Sequence, residues 1–184
     1  MASKTPLLQL AAVTKNFGGL QALKDVTFRI EEGDVRGIIG PNGAGKTTLF
    51  NVVTGEFKPS SGKVYLRGED ISGLSPYAIC RKGLSRTFQL TRIFPEMTVY
   101  ESIWVGANSR SRYPWNPVAR AEHLEASDQD AMGICKLIGL EEKKDELAVN
   151  LSYGDQKVLE MAMALSTNPS VLLLDEPTQG VGPK

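Results

Sequence analysis

Short runs rich in apolar and β-branched residues open the chain, at residues 7–13, 26–31, 35–39 and 64–67, and polar turns separate them, a pattern that predicts β-strands. Gly18, Gly19, Gly33, Gly40, Gly43, Gly45, Gly55, Gly62 and Gly68 punctuate this stretch, where the chain must turn or a backbone must be approached closely. From about residue 76 the texture becomes helical. Helices are predicted over 76–83, 98–108, 119–138 with Gly139 as a C-terminal stop, and 152–166. The apolar run 171–174 returns to the strand pattern. Strands, a helical block and a strand again predict an α/β domain carrying a helical insertion, not two independent domains. The stretch RSRYPWNP at 110–117 reads as an irregular loop, and EEKKDE at 141–146 as a solvated link between helices.

Composition narrows the class. The 184 residues are 41% hydrophobic and 23% charged, with 21 basic against 21 acidic side chains. A globular chain of that length buries roughly 70% of its unfolded surface, so it needs no disulfide or metal to hold a core. Cys80 and Cys135 therefore carry no extracellular implication. No apolar run approaches the ~18 residues that span a bilayer, and the start MASKTPLLQL lacks the apolar stretch of a secretion signal, so a cytoplasmic chain is expected. A net charge of +0 gives no general pull toward nucleic acid.

The chemistry lies in local motifs. After the run VRGII comes GPNGAGKTT, Gly40 to Thr48, which fits G-x-x-x-x-G-K-[ST], with a helix-compatible TTLFNVVTG behind it. Phosphate oxygens must be met by several backbone N–H groups at once, and only small residues such as Gly43, Ala44 and Gly45 let the backbone wrap so closely. The cradle is assigned to Gly40, Asn42 and the backbone of 43–48, with Lys46 on the β and γ phosphates, Thr47 on Mg²⁺ and Thr48 on the α-phosphate. VLLLDEP, residues 171–177, is an apolar strand that ends abruptly in two carboxylates. Asp175 is placed to hold the hydration shell of Mg²⁺ and Glu176 to polarise an attacking water.

With these sites in order, the chain resembles the ATP-binding subunit of an ABC transporter along essentially its whole length. The resemblance implies a P-loop NTPase (RecA-like) core, an N-terminal antiparallel β subdomain and a helical insertion subdomain. The core is expected at about 1–89 and 169–184 and the helical part at about 90–168. Phe17 stands where the family stacks an aromatic ring on adenine, Gln89 in SRTFQ matches the Q-loop, a catalytic and metal-side position, and LSYGDQ at 151–156 matches the signature LSGGQ. Ser152 and Gly154 would then meet the γ-phosphate of ATP held by a second ATP-binding subunit, so that two chains sandwich two nucleotides. RTFQ, IFPEMTVYESIWVG, the insertion from about 107 to 131 and Tyr153 resemble importers of branched-chain amino acids and their amide or urea relatives. Permease subunits in the membrane are the implied partners, and nucleic acid is not.

Departures from the family pattern are Asp155 for the usual Gln, Val158 for Arg and Gly182 for the D-loop Asp; Asp155 is expected to point outward. The sole histidine, His123, is expected to be a solvated helix residue and not the family's switch histidine. The resemblance implies a further helix and strand after Lys184, so the chain as given is expected to be C-terminally incomplete, to lack an interior strand and to expose two sheet edges. Apolar residues at Ile93, Phe94, Met97, Val99, Ile103 and Trp104 fit either a permease-docking groove or the core. A soluble ABC-type ATPase acting on ribosomes or DNA is the rival function. For this length of chain alone, an ATP-binding module without turnover is another.

Overall fold

The structure is a computed structural model that describes residues 5–87, 93–109 and 117–175, the side chains of 117–123 excepted. It divides into two compact units, Met1–Leu84 and Ser85–Lys184.

The first unit is built on an antiparallel sheet in the order β2-β1-β3-β4, formed by β1 (Leu8–Phe17), β2 (Leu20–Ile30), β3 (Ser61–Leu66) and β4 (Glu69–Asp70). This is the antiparallel subdomain that the resemblance implied. β1 lies between β2 and β3, so Leu8, Leu10 and Val13 are almost wholly buried, beside Val64 and Leu66 of β3. The β1 ladder is irregular near Ala12, which has φ 49. There the backbone of Ala12 passes so close to Gly62 that a Cβ on Gly62 would collide with the Ala12 carbonyl. Side chains stitch across the irregularity: Ala12 N donates to Thr27 Oγ1 (2.9 Å), and Asp25 N donates to Thr14 Oγ1 (3.1 Å). Two helices complete the unit, α1 (Lys46–Val53) and α2 (Pro76–Arg81), the latter capped by Ser75 with proline in its first turn.

One predicted strand is absent. Residues 35–39 form no strand, and Val35 and Ile39 are 98% and 97% exposed. The run has strand composition, but a strand exists only with ladder partners, and among the described residues nothing pairs with it. Two strands escaped the sequence reading, β4 and β5 (Leu84–Arg86), because two or three residues carry no periodicity.

The second unit packs α3 (Val99–Asn108), α4 (Pro117–Leu137) and α5 (Tyr153–Ser166) around Val99, Ile103, Ala131, Cys135, Leu140, Ala148, Leu151, Leu159 and Ala162. Val99 and Ile103 are therefore core, not a docking surface; Ile93 and Trp104 pack against that core, while Phe94 stays 43% exposed. Thr98 caps α3 in a reciprocal box with Glu101. Gly106 lets α3 and α5 approach: a Cβ there would collide with Ser166 Oγ and stand 2.7 Å from Met163 O. Gly139 stops the α4 segment at φ +73, as its sequence position predicted. The EEKKDE link is largely exposed, yet its backbone completes α3: Val99 N donates to Glu146 O (3.0 Å) and Tyr100 N to Lys144 O (2.9 Å), satisfying the open end of that helix. On α5, Lys157 and Glu160 form a buried ion pair at 3.3 Å. β5 pairs with β6 (Val171–Leu173), and Thr87 N continues the ladder to Leu173 O at 3.0 Å.

Candidate functional site

In the first unit the chain turns from Gly40 into α1 through Pro41, Asn42, Gly43, Ala44 and Gly45, with Ala44 N donating to Pro41 O at 3.2 Å. Gly43 and Gly45 have φ +83 and +89. Gly45 is required twice over, because a Cβ there would also stand 2.6 Å from Ala22 O and 3.1 Å from Leu23 Cδ2. At Gly40 a Cβ would press on the Ala44 methyl at 3.2 Å. The loop is thus bare backbone by necessity.

α1 then begins at Lys46 with Gly45 as N-cap and no side chain capping it. By contrast, Ser75, Thr98 and Ser152 each cap their helices with a hydroxyl. The first N–H groups of α1 and the positive end of its dipole are left for an anion. Lys46 Nζ donates to Gly40 O at 2.6 Å and Pro41 O at 2.9 Å, so its ammonium is already drawn across the loop onto neutral acceptors. Phosphate oxygens would be stronger partners for the same charge. Asn42 and Thr47 are exposed and Thr48 is half-buried.

Phe17, at the end of β1, meets Phe57 edge to face with centroids 5.2 Å apart, and Lys15 Nζ lies 5.0 Å from its centroid. The ring remains 41% exposed. It is a supported, accessible aromatic surface rather than a core residue.

In the second unit Asp175 follows the end of β6. Its carboxylate Oδ2 accepts from Arg86 Nη2 at 2.8 Å, both side chains being largely buried, and its backbone N donates to Thr87 Oγ1 at 3.3 Å. Ser152 caps α5 by accepting from Asp155 N at 3.2 Å. Gly154, in the first turn, has open space around it, with Ser152 Oγ at 3.9 Å the one neighbour a Cβ would meet. Gln156 binds the turn before the helix, its amide donating to Leu151 O at 3.2 Å. The Asp155 carboxylate turns to Lys143 Nζ at 2.7 Å, and that hydrogen bond holds the Lys143 ammonium above its ordinary pKa.

Gln89 and Glu176 lie outside the described residues, as do Gly182 and the side chain of His123. Sequence reasoning missed Arg86 and Lys143. Nothing local marks either of them: Arg86 closes the three-residue run Leu84–Arg86, too short to show a pattern, and Lys143 lies in the charged link.

The family model described as ABC transporter matches residues 23–179. The chain is 42% identical over 185 aligned positions to a high-affinity branched-chain amino acid transport ATP-binding protein of Salmonella typhimurium, LivG, covering 97% of this chain and 72% of that one. Among solved structures, a nucleotide-free ATP-binding cassette from an ABC transporter superposes with a TM-score of 0.80 at 36% identity, over 96% of this chain and 71% of that one. A dimeric bacterial ABC transporter cassette superposes with a TM-score of 0.80 at 27% identity, over 95% and 76%.

Proposed function

The chain belongs to the ABC transporter family, and from that premise we propose that it powers the import of branched-chain amino acids or related small solutes. As a family member it has the P-loop NTPase fold, binds ATP and is a transport ATPase. The observation that carries the reading is the bare turn from Gly40 into an uncapped α1 with the Lys46 ammonium folded over it. Such a turn has one evident use, the grip of a polyphosphate.

In this reading the backbone N–H groups of 43–48 cradle the phosphates and Lys46 exchanges the Gly40 and Pro41 carbonyls for β and γ oxygens. Thr48 meets the α-phosphate. Phe17 stacks on adenine, which its exposed, supported ring favours. The donors fit Mg²⁺: the Thr47 hydroxyl and the Asp175 carboxylate are hard oxygen ligands. Mg²⁺ would neutralise charge on the transferring phosphoryl group. In this reading Gln89 is assigned to the metal side and Glu176 to polarising the attacking water.

Ser152 and Gly154 would meet the γ-phosphate bound by a second subunit, a reading supported by the dimeric relative. We read residues 1–184 as one such domain, with core and helical parts at the boundaries given above. No helix among the described residues is long and apolar enough to cross a membrane. In the proposed setting the subunit sits at the cytoplasmic face of the membrane, held there by permease partners, which is supported by its likeness to transport ATP-binding subunits. Among the six apolar residues named for a docking groove or the core, Phe94 is the exposed one, at 43%.

The test is nucleotide binding and phosphate release by the full-length subunit. Lys46→Ala should lose ATP binding, and Glu176→Gln should bind ATP without turnover. Unimpaired binding by Lys46→Ala would refute the loop assignment. In the reconstituted transporter, a branched-chain amino acid delivered by its binding protein should stimulate hydrolysis; no response would refute the solute class.

A further inference from the structure

Arg86 has no role in the reading so far. Its guanidinium donates through Nη2 to Asp175 Oδ2 at 2.8 Å, and the two side chains are 6% and 11% exposed. Taking both charges out of water is costly, and such a pair persists only where its geometry is held from several sides. Here the holding is visible: Thr87 N donates to Leu173 O at 3.0 Å, and Asp175 N donates back to Thr87 Oγ1 at 3.3 Å. Thr87 itself is 3% exposed. Consecutive residues of one segment therefore grip Asp175 at its backbone and at its carboxylate.

The contact engages Oδ2; with Asp175 read as the metal-side carboxylate, Oδ1 is the oxygen that would face the cation's hydration shell. A carboxylate on a short side chain can rotate about χ2, and a ligand that must first be ordered binds more weakly than one already held. We infer that Arg86 is a positioning residue, which fixes the Asp175 carboxylate in the orientation it presents to the metal of the metal–nucleotide complex. This rests on the reading of Asp175 as the metal-side carboxylate.

The experiment measures Mn²⁺ affinity of the full-length subunit loaded with ADP, by the electron paramagnetic resonance signal of free Mn²⁺, alongside the Mg²⁺ dependence of phosphate release. Arg86→Met is expected to weaken Mn²⁺ binding about 10-fold or more, within the range typical of lost outer partners. Arg86→Lys should recover part of it, since a point charge reaches the same oxygen without the rigid planar fork. Asp175→Asn sets the full loss, and the double variant Arg86→Met/Asp175→Asn should bind Mn²⁺ no more weakly than Asp175→Asn alone, because Arg86 acts through that carboxylate. If Arg86→Met does not fold, Arg86→Lys carries the test with the same cycle.

Unchanged or tighter Mn²⁺ affinity in a cooperatively melting Arg86 variant, with Asp175→Asn weakened, would overturn the inference and leave Asp175 its role. Were Asp175→Asn itself to bind Mn²⁺ normally, the underlying reading would fall, and the inference with it.

Discussion

Gly106 and Gly133 both sit inside helices, and the structure predicts opposite outcomes for the same substitution. At Gly133 of α4 nothing lies within 4 Å of an added Cβ, so Gly133→Ala should stabilise by the helix-propensity gain of about 1 kcal/mol. At Gly106 the same gain is set against α5, where the new methyl would collide with Ser166 Oγ and stand 2.7 Å from Met163 O. Ser166 Oγ can move only by leaving its bond to Met163 O at 2.9 Å, and the carbonyl can move only with the helix. Overpacking of this kind costs roughly 1–3 kcal/mol, which against the gain of about 1 kcal/mol leaves Gly106→Ala destabilising by roughly 0–2 kcal/mol. Urea unfolding of the full-length subunit reads both. Adding Ser166→Ala to Gly106→Ala removes one of the two obstacles, and the pair should be less destabilising than the sum of its members. If Gly106→Ala and Gly133→Ala shift the midpoint in the same direction by similar amounts, the close approach of α3 and α5 is wrong.

Two further outcomes follow from single sites. Gly154→Ala meets open space and a helical backbone, so the chain should fold at least as well as before, yet lose most ATP turnover if this turn faces a partner's phosphate; undiminished turnover would remove Gly154 from the site. The Asp70 carboxyl is held at about 2 by the hydrogen bond from Lys63, then by the N–H and hydroxyl of Ser72, against about 3.9 for an unperturbed Asp. Because the folded value is depressed, its contribution to stability is fully present above about pH 4 and is lost as pH falls toward 2. A carbon-detected NMR titration of Asp70 should show that midpoint and its upward return in Lys63→Gln; a wild-type midpoint near 3.9 would exclude the pair.

What was legible in the sequence was whatever a few consecutive residues decide. The phosphate loop could be read because Gly43 and Gly45 answer a local demand for left-handed backbone, and the helix behind it starts where the glycines end. Thr98 and Ser152 were placed correctly as helix boundaries because a cap is a contact between near neighbours, here with Glu101 and Asp155. The run 35–39 was misread for the opposite reason: its composition suits a sheet, but a strand is a relation between segments, and sequence shows only one member of it. The Arg86 to Asp175 contact joins residues 89 positions apart, and nothing in either neighbourhood announces the other. Likewise EEKKDE read as a solvated link, and it is largely exposed, but the carbonyls of Lys144 and Glu146 that complete α3 are main-chain groups with no signature in side-chain type.

Asp155 shows how these scales meet at the site. A carboxylate in place of the signature glutamine brings negative charge to a helix end proposed to receive phosphate, which on charge alone should weaken it. Its position in the first turn of α5 offsets part of that, since acidic groups there are favoured by the helix dipole. The structure supplies the remainder from the solvated link: Lys143 Nζ holds the carboxylate at 2.7 Å. Both partners are partly exposed, so the pair is worth little to folding. Its consequence is electrostatic and local. The charge that the substitution introduces arrives with its counter-charge, and the backbone end of α5 keeps the positive character that an anion site needs.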